Sequence, residues 1–522
     1  MTQRVHDVVV IGSGIGGLTA AALCAEAGLD VQVLEGHTRP GGCAGDFTRR
    51  GILFPAGATV VMGFEEGGLH RWVYERLGLP IAARLLDQAM TVHLPDREVA
   101  ISTEAGAWQH EQRRAFPQLG RRGDRFWSRI KRLADTAHGL AGARPTLPLT
   151  SIRDLLSAAR LVRPSLIAAL PTLWQTVGDL LRAEGVDHDR PHQSFVDNQL
   201  LISMQCLADE CVAMNGALAL DVYRRGVFHL PGGTATIAGD LLRALKARGG
   251  DCRYRSWARR LERERGNWAI ITADGDRLLA RTVIANLPLA DLAGLLVEEP
   301  SASLVRAARR RVQPWGAVVL YAALDATDFP GTLPRYHQII DTYDGPLEDG
   351  GSCFVSLVGP EQARFPNIVR LTVSTHTSVE PWWHLPGVPA YQERKAMMSE
   401  RLLAAAARVL PDVRGRIIFS EVATPRTFLR WTGRHEGRVG GVPQTLRNAN
   451  LRAQSHRTGL PGLFVCGDSI FPGQGTIGVT ISGLNAAQDA TRHVQDMTRR
   501  SRRRAAESPA RQAVGTPNES AG

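Results

Sequence analysis

The stretch from Asp7 to Glu35 constrains this chain more than any other. "DVVVIG" (Asp7–Gly12) is a short, apolar, β-branched run, the signature of a central strand in a parallel sheet. "GSGIGG" follows as a turn, then "LTAAALCAEAG" as a helix of small residues ending at Gly28. "DVQVLE" is a second strand that ends in an acid. This is a complete βαβ unit. Gly12 permits the tight turn, Gly14 lets a pyrophosphate approach the backbone, and Gly17 lets helix and strand pack closely. The helix N-terminus turns free N–H groups and a positive dipole end toward the phosphates. Glu35, 23 positions after Gly12, is placed to accept from a ribose 2′-hydroxyl. The unit predicts a dinucleotide site, and the acid disfavours a 2′-phosphate. FAD and NAD both fit.

A second GxGxxG lies near the other end, in "VCGDSIFPGQGTIGVTISG" (Val465–Gly483), with Gly473, Gly475 and Gly478. A second nucleotide unit needs its strand to run directly into the glycines and another strand to follow. Here five residues, Asp468 to Pro472, intervene after "GLFVCG". The helix beyond the glycines then leads into a basic tail. The second motif is therefore not a second dinucleotide site.

With 522 residues and a hydrophobic fraction of 44%, the chain has room for two or three domains around sizeable cores. Its net charge of +11 is carried largely by arginine, part of it in the tail from Thr498. That tail lacks aromatics and β-branched runs and is expected to be disordered, over 499–522. Its charge suits plain solvation or an anionic membrane surface. A nucleic-acid partner is not expected, because no recognition helix or aromatic–basic interleaving appears. The seven cysteines are dispersed, with no metal-ligand spacing, which fits a reducing cytoplasm and no metal site. No signal peptide precedes the first strand. The longest greasy stretch, Ser151–Leu181, is broken by Arg153, Asp154, Arg160, Arg163, Pro164 and Pro171, so it is not a transmembrane helix.

The continuation after Glu35, "EGHTRPGGCAGDFTRRGILFPAGATVVMGF", resembles a flavoprotein pattern: an acid, a glycine doublet (Gly41, Gly42), then "F…G..F..GA". The segment around Gly467 and Asp468 resembles the C-terminal FAD-closing segment of the same flavoproteins. The wording "GDSIFPGQGTIGVTISGLNAA" is similar to the phytoene desaturase and carotenoid isomerase branch. "FHLPGGTATIAGDLLRALKARGGD", "VIANLPLADLAGLL", "RLTVSTHTSVEPWW" and "ATPRTFLRWTGRHEGRVGGVPQT" agree with that branch. The resemblance covers most of residues 5–495 and is least specific over about 100–220. "GRVGGVPQT" and the run from "GGCAGDF" to "RLGL" look most like carotenoid 3′,4′-desaturases.

The resemblance implies FAD as cofactor. Gly41 and Gly42 would lie along the diphosphate and ribityl chain. Asp468 would hold a ribityl hydroxyl, with Gly467 permitting close approach, and Gly475 and Ile477 would lie beside the isoalloxazine. A helix N-terminus at that edge suits the negative charge of a ring accepting a hydride. The implied fold is α/β. A Rossmann-like FAD-binding domain of the glutathione-reductase/amine-oxidase type comprises 1–95, 221–298 and 416–498. A discontinuous α+β substrate domain comprises 96–220 and 299–415. Trp257 and Ala258 stand where the family has a valine beside the adenine, so that contact is not carried over.

The implied activity is desaturation at the C3′,4′ bond of an acyclic carotenoid, with or without a 1′-hydroxyl, with oxygen or a membrane quinone as electron acceptor. A non-redox carotenoid isomerase, another desaturase of the branch, and a flavin-bearing carotenoid carrier remain open, with an amine oxidase a weaker reading. No acid–base constellation is evident, and none is demanded: a cation formed beside a polyene is delocalised, so catalysis rests on positioning and on the cofactor. A bilayer-resident substrate implies peripheral membrane association. The helices of 151–181, with Ser194–Leu220, suit equally a tunnel with a membrane-dipping face and a plain core. Asp209 and Glu210 are the expected polar groups near substrate. Trp382 and Trp383 are expected in the core or tunnel wall, and His376 is expected to be a satisfied histidine.

Overall fold

The computed structural model describes residues 4–512 apart from 144–145, 147, 298–301, 311–313, 331–332 and 360–364. Two seven-stranded sheets organise them. In the first, Val5–Ile11 lies between Val31–Leu34 and Arg277–Ala285, parallel to both. Asp251–Arg253 extends the parallel set on one side, and Leu463–Val465 pairs in parallel with Arg277–Ala285 on the other. Ala258–Glu264 and Asn267–Thr272 add an antiparallel meander. The apolar strand Val8–Ile11 is buried throughout, as a strand covered on both faces must be.

Helix Ile15–Glu26 covers this sheet together with Thr234–Lys246 and the last helix, Thr476–Gln512. Its run of alanines and glycines makes the contact close. A Cβ on Gly483 would stand 2.3 Å from the Gly16 carbonyl oxygen, and a Cβ on Gly16 2.9 Å from that of Val479. Only glycine fits at such a crossing.

The second sheet runs in the order Ile417–Ala423, Trp315–Asp325, Ile368–Ser378, Ser352–Val358, Tyr336–Ile340, Gln88–His93, Glu98–Ser102. Helix Gly387–Val409 packs on one face and helps enclose an aliphatic core around Val373, Leu402 and Trp382. A third body of helices, including Gly120–Ala143, Val177–Glu184, Arg190–Met204 and Ala213–Val222, forms the largest buried cluster.

Strand pairing moves two expected domain boundaries. Gln88–His93, placed within 1–95 of the nucleotide domain, pairs in parallel with Tyr336–Ile340 of the second sheet. Ile417–Ala423, placed at the start of 416–498, pairs with Trp315–Asp325 of that same sheet. Gln88–His93 buries Ala89, Met90 and Val92 in the helical body's cluster, and Ile417–Ala423 buries Val422 in the second sheet's core. The tail also differs: the last helix continues through the expected disordered stretch as far as Gln512, in a segment rich in arginine and alanine, which favour helix. Residues 513–522 lie outside the described residues. Ser151–Leu181 breaks into Ile152–Ala159, Pro164–Ala169, a 3₁₀ turn Leu170–Trp174 and Val177–Glu184. Among the described residues no helix is long and apolar enough to cross a membrane.

Candidate functional site

A cavity of about 1920 Å³ runs between the two sheets and the helical body. Nine of the ten residues expected to hold the cofactor line it: Gly12, Gly14, Glu35, Gly41, Gly42, Gly467, Asp468, Gly475 and Ile477. The tenth, Gly17, lies behind the turn, where a Cβ would stand 2.2 Å from the Gly12 carbonyl oxygen. It serves helix–strand packing and leaves the lining to its neighbours.

The turn is backed by a residue that its own motif does not contain. Asn286 follows the strand Arg277–Ala285, and its backbone N–H donates to the Ile11 carbonyl at 2.8 Å. Its side-chain amide fills the space under the glycines. A Cβ on Gly14 would meet Asn286 Nδ2 at 2.6 Å, and one on Gly17 would meet Asn286 Cβ at 2.9 Å. The bare turn leaves the N-terminus of helix Ile15–Glu26 open to the cavity, with Gly14 in an extended conformation at its N-cap. That arrangement suits a diphosphate.

Glu35 is held for hydrogen bonding. One carboxylate oxygen accepts from the Ser13 backbone N–H at 2.8 Å and from the Ser13 hydroxyl at 2.5 Å. The other accepts from the His37 N–H at 2.7 Å. A carboxylate has about four acceptor sites, so capacity remains for a ribose hydroxyl. Next to it, Trp257 is wedged between two glycines: a Cβ on Gly36 would stand 2.4 Å from the indole, and one on Gly433 2.5 Å. His37 and Trp431 meet edge to face at 5.5 Å. Aromatic rings thus line the Glu35 end of the cavity, Trp257 among them where the resemblance has a valine.

Gly41 and Gly467 both carry positive φ, +112° and +115°, so the chain turns there without a side chain facing the cavity. The Gly467 N–H donates to the Ser482 hydroxyl at 2.9 Å, tying the strand end to the last helix. Asp468 is gripped by Arg434, whose Nη2 donates to its two oxygens at 2.9 and 3.2 Å. Arg434 Nε also donates to the Arg438 carbonyl, and both side chains of the pair are largely buried. The pair fixes the carboxylate at the cavity wall, where the resemblance would have it meet a ribityl hydroxyl. Burial pushes the nearby Cys43 thiol up, against the opposing charge of Arg434. Ser13, Asn286 and Arg434 all escape sequence reading, because each acts through a partner remote in the chain.

Past Gly475 and Thr476 the cavity becomes apolar, with Leu140, Leu149, Leu166, Leu173, Met214 and Phe354 on its walls. Asp209 and Glu210 are not among them. Asp209 is exposed and pairs with Arg182 on the outer surface, and Glu210 is likewise exposed, so neither approaches this limb. Trp382 is fully buried in the second sheet's core, donating to the Thr377 hydroxyl at 3.0 Å, and Trp383 donates to the Glu436 carbonyl. His376 does reach the cavity. Burial drives its pKa down to about 4, so the ring is neutral near pH 7. Among the described residues no cluster could hold a metal ion, and all seven cysteines are unbridged.

The residues present fit FAD. Glycines from both ends of the chain, an oriented acid at each end and a helix N-terminus share one cavity. Its volume exceeds the about 300–1,000 Å³ usual for a single small ligand, which leaves space for a second, apolar molecule. The family model described as flavin containing amine oxidoreductase matches residues 15–491. The chain is 26% identical over 505 residues to a prolycopene isomerase of Daucus carota, covering 93% of this chain and 80% of that protein. It is 26% identical over 538 residues to a hydroxyneurosporene desaturase of Rubrivivax gelatinosus, covering 96% of each. Among solved structures, cyclohexylamine oxidase from Brevibacterium oxydans superposes with a TM-score of 0.60 at 15% identity, over 95% of this chain and all of that one.

Proposed function

The chain belongs to the flavin-containing amine oxidoreductases and is an FAD-dependent oxidoreductase; on that footing we propose that it desaturates an acyclic carotenoid, at the C3′,4′ bond next to the existing polyene. The observation that carries this reading is the single cavity in which a dinucleotide cradle opens straight into an apolar limb. FAD, held by Gly12, Gly14, Glu35, Gly41, Gly42, Gly467 and Asp468, would supply a two-electron acceptor for a hydride from C4′, with oxygen or a membrane quinone as the final acceptor. The chain's part is to hold the saturated end of the substrate against the flavin edge and to exclude water around it. The remaining C3′ proton, acidified by the delocalised positive charge, leaves to water or a weak base, and the new double bond forms from its electron pair.

The substrate source we propose is an anionic bilayer. Ile152, Leu155, Leu156, Val162, Ile167 and Trp174 project outward from the helices whose other face, through Ala158, Leu166 and Leu173, lines the apolar limb. Ile152 is 79% and Trp174 63% exposed. Arg153, Arg160 and Arg163 are exposed among them, while the one acid between residues 150 and 178, Asp154, is buried and paired with Arg457. An apolar face ringed by arginines suits the interface of an anionic membrane.

Cells accumulating lycopene or its 1-hydroxy derivative provide the test of the reaction. A product lighter by two hydrogens, with a red-shifted spectrum, is expected. A second reading, non-redox isomerisation, is favoured by the likeness to the prolycopene isomerase. It predicts unchanged mass with altered retention, and that outcome overturns desaturation.

A further inference from the structure

Two polar groups stand on the cavity face of the second sheet with no assigned role. Ser374 and His376 are two apart on the strand Ile368–Ser378, so their side chains share a face. Their partners across the pairing, Val319 and Ala317, also line the cavity. Neither the Ser374 hydroxyl nor His376 Nδ1 has a hydrogen-bond partner among the described residues. Neither atom belongs to the sealed, solvent-free set; both open on the cavity.

The tautomer of His376 follows from Gln205. The Gln205 amide nitrogen donates to the Leu201 carbonyl at 3.1 Å, which fixes which end of that amide is nitrogen. The same nitrogen lies 3.2 Å from His376 Nε2, so Nε2 accepts and the ring proton sits on Nδ1. Gln205 is therefore a positioning residue that makes His376 present an N–H to the cavity. The place is the flavin end. Gln205 abuts Gly440, and the adjoining Gly441 packs on Gln474, which immediately precedes Gly475. A donor and a hydroxyl, both uncharged, face an apolar limb at its reacting end.

We propose that His376 and Ser374 read a neutral oxygen function on the terminal group of the polyene, a hydroxyl above all, and so set the choice between oxygenated and hydrocarbon substrates. The inference rests on the carotenoid reading above and names the substrate end that this site selects. The His376 N–H donates to the substrate oxygen, and Ser374 accepts its proton in turn. A site built to hydrogen-bond a hydroxyl rejects the analogue that lacks it, because its own polar groups are then left unpaired.

The test uses the FAD-loaded enzyme and two probes, a 1-hydroxylated acyclic C40 polyene and the parent hydrocarbon, with affinity read by quenching of flavin fluorescence. The wild-type protein is expected to bind the hydroxylated polyene about tenfold more tightly. His376→Phe removes most of that preference, with the hydroxylated polyene held less tightly and the hydrocarbon more tightly; Ser374→Ala removes part of it. FAD content per chain checks folding, and His376→Asn, which keeps a donor, retains part of the preference and serves if the phenylalanine variant loses flavin. Equal binding of the two polyenes by wild type, a preference intact in every variant, or binding of neither polyene overturns the proposal. A preference that obeys these variants while no desaturated product forms overturns the reaction assigned above and leaves the oxygen subsite standing.

Discussion

Gly17 and Gly475 separate two reasons for a glycine. At Gly17 a methyl group would press on the Gly12 carbonyl and Asn286, neither of which can yield, so Gly17→Ala breaks the nucleotide turn. Gly475, at φ +85°, has nothing within 4 Å of an added Cβ, so Gly475→Ala carries only backbone strain of about 1–2 kcal/mol. FAD retention after gel filtration is expected to be lost in the first variant and only weakened in the second, where the added methyl meets no protein atom but faces the cavity. Glu35→Ala is expected to weaken FAD about tenfold, roughly 1.4 kcal/mol, by isothermal titration of the apoprotein. At this scale spacing alone made Gly12, Gly14, Gly17 and Glu35 legible, because the dinucleotide motif is local. Ser13, Asn286, Arg434 and His376 were not, because their roles arise from contacts between segments far apart. Asp209 and Glu210 misled: acids in an apolar stretch suggested the cavity, but their helix boundary turns them to the surface.

The helix Ile152–Ala159 shows the next scale. Its capping box, Ser151 with Asp154, is readable as a helix start, but the fastening is not. Arg457 pairs with Asp154 and also donates to Asp489, at 2.6 Å, and His456 shares Asp489 at 2.8 Å. This clamp joins the mouth of the apolar limb to the last helix. Burial alone would raise both carboxyls, but the bonds from Arg457 and its neighbours outweigh it and hold both below the ordinary carboxylate range. A lowered folded value means the contribution is present above about pH 4, and is lost as the pH falls through the folded values. Arg457→Ala is expected to cost about 1–3 kcal/mol and to speed proteolytic cleavage near Arg160 and Arg163 at neutral pH. Unchanged cleavage would show that the clamp does not hold this helix. The parallel strands were legible as apolar runs. Residues 88–93 and 417–423 fall within the ranges expected for the nucleotide-binding domain but pair in the second sheet, because local sequence does not name a strand's neighbour.

At the scale of the molecule, the cavity and the apolar face share the helices between Ile152 and Trp174. Leu155→Asp combined with Leu156→Asp is expected to lower co-sedimentation with vesicles containing anionic lipid at least about tenfold, since each leucine contributes about 1.5–3 kcal/mol when buried. FAD content should not change. Wild-type protein that fails to sediment with such vesicles removes the face from the membrane account.

The crossing of Gly16 over Gly483 has a consequence for how the protein is made. The ribosome releases Gly12–Glu35 early, yet the wall formed by Gly467, Asp468 and the last helix emerges more than four hundred residues later. At the about 5–20 residues per second of synthesis, the nucleotide turn waits tens of seconds for its other half. Flavin loading is therefore a late event of biogenesis, and a nascent chain stalled short of Gly483 carries a Rossmann unit that cannot keep its cofactor.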